Sequence, residues 1–410
     1  MTKSGQSQKK KEMPWKVLYI PMYYPILYQT FLRREIGGMA QAGLSMTVVP
    51  CLPGYDRGVP FQFDVFRLGW TWILAPIYWT KFYLFRPLLV KRGLAHVFKT
   101  PPNNVESWFF LFWSVLAAPL IARFAEKNRV QHVHAAWATA PASIAWLVHK
   151  LSGISFSFGA QAYDLYRHGG DNFLSAKGKS AKFIHTTTEN NVDTLKQRCP
   201  ESKDKIVLAR RGLEKMPAEK SLSLMEDEVR LLSVGRLVPK KGHTYQLDTC
   251  AKLKAQGVPV QLKILGEGPL REDLEGHVKR LDLQENVEFC GAISPGEVPQ
   301  YYAWGDIFWH TGVVDPKGDR DGLPNVVPEA MAHQLPVISG TEVGVLEAVK
   351  DGVTGIVVDV VDTDSLADAV TRLREDSVLR DQLIRNGRQW VEDHFLAEKN
   401  AAKIANSIRS

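Results

Sequence analysis

The chain has 410 residues, which is too long for one ordinary hydrophobic core and predicts two domains. Hydrophobic residues make up 45% and charged residues 23%, a composition that argues against an intrinsically disordered protein. The formal net charge of +7 favours anionic partners such as phosphates, acidic lipid or nucleic acid. Nucleic acid is the weakest of these, since the cations and aromatic residues form no recognisable binding module.

The N-terminal residues and the cysteines both bear on the cellular compartment of the protein. Residues 1–16 contain four lysines before residue 12 but no apolar run, so we predict a basic mobile tail and not a secretory signal. The four cysteines have no paired spacing, which argues against a zinc site or a disulfide framework. They are Cys51, Cys199, Cys250 and Cys290. Reduced thiols predict a cytoplasmic protein.

Strands and helices alternate through the first half of the chain. The predicted strands are 17–20, 46–49, 130–135, 155–158 and 183–186, and the predicted helices are 30–41, 136–150 and 189–197. We expect Thr30 to cap the first helix, and Gly43 to close it. The turn at 21–25 lacks the three-glycine fingerprint of a dinucleotide-binding fold, which argues against a dehydrogenase. The alternation predicts an α/β protein with a doubly wound sheet.

Residues 70–95 mix aromatic and basic side chains. This pattern is typical of an element on a membrane surface, and equally of connecting helices with buried aromatic faces. The apolar run 108–122 is shorter than the roughly 20 residues that span a bilayer, and Pro119 is expected to interrupt it. We therefore predict a buried core helix there and no transmembrane helix.

A polar stretch at 212–227 is the predicted linker between domains, and the α/β alternation restarts after it. The predicted strands of the second half are 229–234, 260–265, 287–290, 307–311, 336–339 and 355–358. Because the carboxyl ends of parallel strands bind ligands in α/β proteins, the loops that follow them are the candidate site.

One of these loops joins two carboxylates. Asp321 and Glu329 are eight positions apart, with Gly322, Leu323 and Pro324 between them and a helical run following. We expect Gly322 to free the backbone, and Asn325 to cap a helix that has Pro328 in its first turn. A positive helix end between two carboxylates suits a diphosphate with a sugar on either side.

Two further loops lie at predicted strand ends. Arg236 and Lys241 follow the first strand of the second half, and two cations so placed can bind one diphosphate. Gly266 and Glu267 follow the second strand and offer close backbone approach with one carboxylate. The acidic run Asp315, Asp319 and Asp321 raises the question of Mg²⁺, but Lys317 and Arg320 compensate its charge. We expect no metal.

These motifs resemble the retaining glycosyltransferases of the GT-B fold that carry an acidic-x7-Glu motif (glycosyltransferase family 4), in particular bacterial exopolysaccharide enzymes of the colanic-acid and amylovoran type. The match is carried by Gly235-Arg236-Leu237 with Lys241-Gly242, by residues 266–269, by 321–324 with 329–332, by Gly344 with Glu347, and by 351–355. Weaker matches in the first half are 24–25, 30–31, 132–134 and 157–164.

The resemblance implies two Rossmann-like doubly wound domains facing across a cleft. Residues 17–215 would form the acceptor side and 216–390 the nucleotide-sugar domain, with a final helix at about 390–410 packing back on the first domain. Arg236 and Lys241 would bind the diphosphate of a UDP- or GDP-sugar, Glu329 the ribose, and Asp321 with the Gly322 and Leu323 amides the sugar. The acceptor-side candidates are Tyr24, Thr30, His134, Gln161 and Asp164.

The implied activity is hexose transfer with retention to a glycan or a polyprenyl-diphosphate-linked saccharide, without a metal, at the inner face of a membrane. One departure from the resemblance concerns Gln161, since many relatives have histidine there. Glutamine can hydrogen-bond a sugar but cannot carry a proton charge, so His134 or His185 is a candidate to compensate. Leu346 stands where relatives usually have proline. A sugar-nucleotide epimerase, a phosphorylase and a non-catalytic scaffold remain alternatives.

Overall fold

The computed structural model describes residues 14–26, 29–54, 63–87, 105–161, 163–166, 170–220, 225, 227–316, 318 and 321–410. The predicted tail lies outside these residues except for its last three positions. Lys317, Asp319 and Arg320 of the acidic run also lie outside them. The four cysteines are free thiols, and three of them are buried.

A seven-stranded parallel sheet forms from the first half of the chain, in the order β5-β3-β1-β6-β7-β8-β9. Its strands are β1 (Trp15–Ile20), β3 (Leu44–Val48), β5 (Asp64–Val65), β6 (His132–Ala135), β7 (Ser155–Gly159), β8 (Ile184–Thr186) and β9 (Ile206–Leu208), and the short pair β2 (Tyr23–Tyr24) and β4 (Leu52–Pro53) lies beside it. The central strands are buried on both faces, which explains their continuous apolar runs.

The helices that the described residues of this half form are α1 (Thr30–Gln41), α2 (Ala75–Phe85), α3 (Val105–Lys127), α4 (Ala140–Ser152), α5 (Tyr163–Tyr166), α6 (Leu174–Ser180) and α7 (Glu189–Arg198). Thr30 is the first helical residue of α1 and not its cap, since Gln29 occupies the cap position without a side-chain bond. The prediction that Pro119 interrupts the apolar run is also wrong, because α3 continues through it. Gly153 ends α4 in the left-handed conformation.

A six-stranded parallel sheet forms from the second half, in the order β12-β11-β10-β13-β14-β15. Its strands are β10 (Val229–Val234), β11 (Val260–Leu265), β12 (Val287–Gly291), β13 (Ile307–His310), β14 (Val337–Ser339) and β15 (Ile356–Val357). The helices are α8 (His243–Ala255), α9 (Arg271–Arg280), α10 (Val298–Trp304), α11 (Val326–Ala332), α12 (Thr363–Glu375), α13 (Ser377–His394) and α14 (Ala397–Arg409). Each sheet has its own apolar core.

The chain crosses between the two halves twice, and the two crossings pair with each other. The Leu213 N–H donates to the Phe395 carbonyl at 2.9 Å, and the Ala397 N–H donates to the Leu213 carbonyl at 2.8 Å. Gly212 has φ +128, and a Cβ there would lie 2.5 Å from the Ala397 nitrogen, so only glycine fits. After the second crossing, α14 packs against α1 and buries its apolar face in the core of the first half.

Candidate functional site

Two loops meet at the carboxyl ends of neighbouring strands in the second sheet. The basic loop follows β10, the acidic loop follows β13, and these two strands are hydrogen-bonded partners. Lys241 Nζ lies 2.5 Å from Asp321 Oδ2, and Lys240 Nζ lies 3.3 Å from Asp321 Oδ1. The fold therefore brings together a cationic and an anionic residue that are 80 positions apart.

Asp321 is held in its ionised form. Its side chain is only 17% exposed, and His310 Nε2 lies 3.6 Å from Oδ2. Burial alone would raise the pKa of Asp321, but Lys241, His310 and Lys240 together hold it well below the usual range. Burial lowers the pKa of His310, so this imidazole is neutral at pH 7. A neutral imidazole and two ammonium groups thus surround one carboxylate.

Glycine is required at two points of these loops. Gly242 has φ +62, and a Cβ there would lie 2.0 Å from the Thr311 carbonyl oxygen. Gly266 has φ +139, and its Cβ would lie 2.0 Å from the Gly235 carbonyl oxygen. Gly322 does not have a positive φ, so our reason for glycine there is wrong. Its backbone instead packs closely on Gly344, where a Cβ would lie 2.4 Å away.

The remaining donor-side candidates have different environments. Arg236 is exposed, and its guanidinium has no partner among the described residues. Glu267 Oε1 lies 3.4 Å from Arg271 Nη1, so Glu267 forms an ion pair with the first residue of α9. Leu323 is half-buried and Pro324 is buried between the two carboxylates of the motif. Arg236 therefore differs from Lys240 and Lys241 of the same loop, which both form ion pairs with Asp321.

Glu329 contacts the first half of the chain. Arg34 Nη1 donates to its Oε1 at 3.0 Å, and the Tyr302 hydroxyl donates to its Oε2 at 3.3 Å. Asn325 stands at the cap position of α11 as predicted, but its side chain makes no capping bond. Because α11 has seven residues, its dipole is short, and the lysines supply most of the positive charge near Asp321.

The acceptor-side candidates are mostly internal. Tyr24, His134 and Asp164 are buried, and Thr30 is half-buried at the start of α1. Asp164 accepts from the Ala138 and Gln161 N–H groups at 3.0 Å each. These contacts give Asp164 the role of fixing the loop after β7.

Gln161 has all four of its polar groups engaged within the protein. Its N–H donates to Asp164, and its carbonyl accepts from Asn191 Nδ2 at 2.6 Å. Its Oε1 accepts from Arg211 Nε at 3.1 Å and from Nη2 at 2.5 Å, while its Nε2 lies 3.3 Å from His185 Nε2. Each polar group of Gln161 therefore already has a partner within the protein, and the second N–H of its amide nitrogen is what it could still offer to a sugar.

A buried cluster of Glu35, His134 and His185 lies beneath this loop. His185 Nε2 is 3.6 Å from Glu35 Oε2, His134 Nε2 is 4.0 Å from Oε1, and the Tyr19 hydroxyl donates to Oε1 at 2.6 Å. Burial opposes ionisation of Glu35, but His185, His134 and Tyr19 lower its pKa to about 2. Burial and His185 lower the pKa of His134 to about 3, which keeps this ring neutral at pH 7.

Within the part of the chain that the structure describes, Glu35, His134 and His185 form the one group of three with the spacing of metal ligands. The donor set of two imidazoles and a carboxylate would suit Zn²⁺ or Fe²⁺. Glu35 already accepts from Tyr19, and Gln161 lies on His185, so the cluster is held by hydrogen bonds of its own. The acidic run on the other side of the cleft supplies no such group among its described members.

Comparison with known proteins identifies the second half. The family model of glycosyl transferases group 1 matches residues 215–390, the part that carries the basic and acidic loops. The chain is a glycosyltransferase. Its motifs at Arg236, Lys241, Asp321 and Glu329 all lie inside the matched range.

Similar proteins extend this identification over the first half. The amylovoran biosynthesis glycosyltransferase AmsK of Erwinia amylovora is 26% identical over 424 residues, covering 96% of this chain and 100% of that protein. The WcaL protein of Escherichia coli strain K12, whose name places it in colanic acid biosynthesis, is 31% identical over 219 residues, covering 52% of this chain and 53% of its own.

The fold is GT-B, with two Rossmann-like domains. The structure of Anabaena HepE in complex with UDP superimposes with a TM-score of 0.69 at 16% identity, covering 96% of this chain and 99% of that one. We call the first-sheet half of the glycosyltransferase its N-terminal domain and the second-sheet half its C-terminal domain.

Several site residues of this glycosyltransferase were missed from the sequence. Arg34 and Glu35 lie on α1 and Arg211 follows β9, and charged side chains at such positions are usually solvated. His310 is the last residue of β13, and the reasoning that singled out His134 near the end of β6 would have found it. Lys240 precedes Lys241 on the same loop and was overlooked beside it.

Helix α3 of the glycosyltransferase is long and apolar. Ser107–Lys127 is long and apolar enough to cross a membrane by length and composition alone, and half of its most apolar stretch is buried. Its second half belongs to the core of the N-terminal domain through Ala117, Ala118 and Ile121. Its first half exposes Trp108, Phe109 and Phe112. The core-helix prediction therefore describes only the second half.

Proposed function

We propose that this glycosyltransferase moves a hexose from a UDP- or GDP-sugar to a glycan or polyprenyl-diphosphate-linked saccharide, with retention, in exopolysaccharide biosynthesis. Three similarities support the proposal. AmsK carries amylovoran biosynthesis in its name, WcaL carries colanic acid biosynthesis, and HepE was solved with UDP. The acidic-x7-Glu motif adds the family 4 assignment from Asp321 and Glu329.

The single observation that carries the proposal is the meeting of Lys240 and Lys241 with Asp321 beside an exposed Arg236. Three cations at one strand end stabilise the charge that develops on a departing diphosphate. Asp321, fixed in its ionised form, accepts hydrogen bonds from hydroxyl groups of the donor sugar. The two groups are adjacent, as the phosphate and the sugar of a nucleotide sugar are.

Glu329 is the residue for the ribose hydroxyls in this proposal. Because Arg34 and Tyr302 bond its two oxygens, a ribose that binds there has to displace or share one of these contacts. Since Arg34 belongs to the N-terminal domain, donor binding is coupled to the contact between domains.

For the chemical step we propose front-face substitution. The bond between the anomeric carbon and the diphosphate oxygen breaks while the acceptor oxygen attacks from the same face, and the departing phosphate oxygen takes the acceptor proton. This route needs no protein nucleophile, and the lysines with Arg236 supply the positive charge that a metal would otherwise provide. We therefore propose catalysis without a metal.

The test is a donor screen followed by product analysis. The glycosyltransferase is heated with UDP- and GDP-sugars, and its donor raises the melting temperature because it binds the native state. That donor is then incubated with lipid extract and the products separated, with chelator present in a parallel arm. Sugar transferred to lipid supports the proposal. Epimerised nucleotide, free sugar phosphate or the absence of any stabilising nucleotide contradicts it.

We also propose that the acceptor is carried by a membrane on which the N-terminal domain docks through an apolar face. This apolar face comprises the segment 69–85 and the start of α3. Its exposed side chains include Trp70 (81% exposed), Leu84 (69%), Phe85 (82%) and Phe112 (64%). Helix α2 lies against α3, where Trp79 Nε1 donates to the Val115 carbonyl at 2.8 Å, so the two parts of the apolar face belong to neighbouring helices.

The chemistry of the apolar face fits a bilayer surface better than a second protein. Tryptophan, tyrosine and phenylalanine dominate it, the residue types that concentrate at membrane interfaces. Residues 69–87 contain Lys81 and Arg86 but no acidic residue, which suits anionic headgroups. Lys81 is exposed, while Arg86 pairs with Glu126 at 2.9 Å. The predicted cations at 91 and 92 lie outside the described residues.

Replacing Trp70 or Phe85 with serine is expected to lower binding to phosphatidylglycerol-containing vesicles by about tenfold or more. A large apolar side chain contributes about 1.5–3 kcal/mol when it leaves water. Sedimentation with vesicles measures the bound fraction, and Val378→Ser, which removes a 77% exposed residue elsewhere, is the matched control. Equal binding by all variants, or a wild-type dimer that ignores vesicles, contradicts the docking proposal.

A further inference from the structure

Two adjacent arginines at the first crossing between the domains have opposite environments. Arg210 Nη2 lies 2.9 Å from Glu347 Oε2 and 3.6 Å from Glu189 Oε1, so two carboxylates compensate its charge. Arg211 has no carboxylate within ion-pair distance among the described residues. The acceptor of its hydrogen bonds is the neutral amide oxygen of Gln161. Its guanidinium is therefore held in place by a neutral group and not by an ion pair.

The guanidinium of Arg211 is rigidly oriented. Nε and Nη2 both donate to Gln161 Oε1, and the plane lies over the Phe31 ring with the central carbon 3.5 Å from the ring centroid. Such stacking adds to the fixation by the amide. Nη1 donates no hydrogen bond to the described part of the chain. The Nε and Nη2 edge of the guanidinium thus holds Arg211 in position, and Nη1 can donate to a ligand.

The side-chain amide of Gln161 is suited to holding Arg211 in this position. One amide oxygen accepts both arginine donors, while the amide nitrogen rests on His185 Nε2. A neutral histidine has a single acceptor nitrogen and could not do both. A glutamate would accept the two bonds but cancel the arginine charge. Glutamine keeps the geometry and the charge together.

Arg211 lies beside the boundary between the domains, next to Gly212 of the first crossing. The loop after β7 is tied through Asn191 to the start of α7, and Thr188 at that start comes close to the acidic loop, with a Cβ at Gly322 3.9 Å from its methyl group. Burial lowers the pKa of Arg211, and Glu35, Tyr19, Asp164 and Asp321 counteract it. Arg211 is accordingly bonded to the acceptor-side loop and is close enough to interact electrostatically with the carboxylate proposed for the donor sugar.

We propose that Arg211 is a phosphate-binding residue of the cleft, positioned by Gln161 and Phe31. A fixed guanidinium with one free edge is suited to a phosphate oxygen, and its charge persists at every physiological pH. Two substrates of the proposed reaction contain such a group, the nucleoside diphosphate of the donor and the lipid diphosphate of the acceptor. The inference rests on the proposed function for this pairing.

The experiment measures the affinities of the full chain for UDP, GDP and geranyl diphosphate, a soluble lipid diphosphate, by calorimetry. Arg211→Met removes the charge, and Gln161→Glu keeps the arginine but neutralises it. A lost charge-assisted hydrogen bond corresponds to about a tenfold to hundredfold weaker affinity. We expect both variants to show this loss for at least one ligand. Arg385→Met removes a 75% exposed arginine elsewhere and is expected to leave every affinity unchanged.

The two arms separate the sources of the phosphate. Loss confined to UDP and GDP assigns Arg211 to the donor, and loss confined to geranyl diphosphate assigns it to the acceptor. Unchanged affinities in both folded variants overturn the inference. Because Arg211→Met leaves Gln161 without its partner, melting temperatures are recorded, and Gln161→Glu decides the matter if the first variant fails to fold. Wild-type protein that binds none of the three ligands overturns the inference and the proposed function together.

One further variant distinguishes an error in the proposed function from an error in the role of Arg211. Lys241→Met is included in the same titrations. If nucleotide affinity is unchanged by Lys241→Met but weakened by Arg211→Met, the donor site assigned to the basic loop is wrong while the role of Arg211 stands.

Discussion

Lys241→Met is expected to lower kcat/KM for sugar transfer by about 10²- to 10³-fold, the range observed when one preorganised group that stabilises a developing anion is removed. The lysine lies 2.5 Å from Asp321 and is only 13% exposed, so no bulk cation can replace it at the same place. Its loss also removes the leading cation that holds the pKa of Asp321 down. Initial rates at several donor concentrations give the measurement.

Lys196→Met is the matched control for this prediction. Lys196 also lies near an aspartate, 3.6 Å from Asp193 Oδ1, but on the surface of α7 with 53% of its side chain exposed. We expect its rate to stay within about twofold of wild type, because an exposed ion pair contributes about 0–1 kcal/mol. Similar rates for Lys241→Met and Lys196→Met would show that the basic loop does not act on the diphosphate.

Gly38→Ala is expected to destabilise the N-terminal domain by about 1–3 kcal/mol, the usual effect of overpacking. A Cβ on Gly38 would lie 2.5 Å from the Ala401 Cβ and 3.4 Å from the Ala397 carbonyl oxygen. Helix α1 therefore approaches α14 at a point where neither helix has room for another methyl group. To admit it, α14 has to move away from the core that it covers.

Gly37→Ala, one position earlier in α1, is expected to have the opposite sign. Nothing lies within 4 Å of a Cβ at Gly37, and alanine is favoured over glycine in a helix by about 0.5–1 kcal/mol. Urea unfolding followed by circular dichroism compares the two variants. If both stabilise the protein, the close contact between α1 and α14 does not persist in solution.

Much of the fold was predictable because buried parallel strands have continuous apolar runs. The strands at 229–234 and 260–265 agree with the predicted positions in every residue, and β6 and β8 differ only at their ends. Helix starts were less predictable. Thr30 is a good capping residue, yet the chain enters α1 at Gln29, because capping preference contributes only about 1 kcal/mol and packing of the helix decides its start.

The aromatic segment shows a different limit of sequence reasoning. Aromatic residues at helical spacing predict a buried face and a membrane face equally well, since both are apolar. The structure separates the two cases residue by residue: Phe82 is buried, whereas Leu84 and Phe85 are exposed. Exposure depends on which helices lie alongside α2, and that information is not in the local sequence.

The site was predictable where residues follow strand ends and unpredictable where they come from the other domain. The sequence placed the basic loop and Asp321 at neighbouring ends, and their contact follows from the sheet order. The partner of Glu329 is 295 positions away in the N-terminal domain, and only the packing of the two domains brings Arg34 to it. Gln161 and Arg211 are 50 positions apart within the N-terminal domain, and they meet because they follow β7 and β9 of one sheet.

The paired crossings at Leu213 and Leu396 determine how the two domains can move. Two hydrogen-bonded chain segments form a two-stranded hinge, which permits rotation of one domain about one axis but resists translation and twisting of the domains against each other. The domains should therefore open along a single arc. Arg34 of the N-terminal domain bonds Glu329 of the C-terminal domain, so one angular coordinate would set the separation of this ion pair.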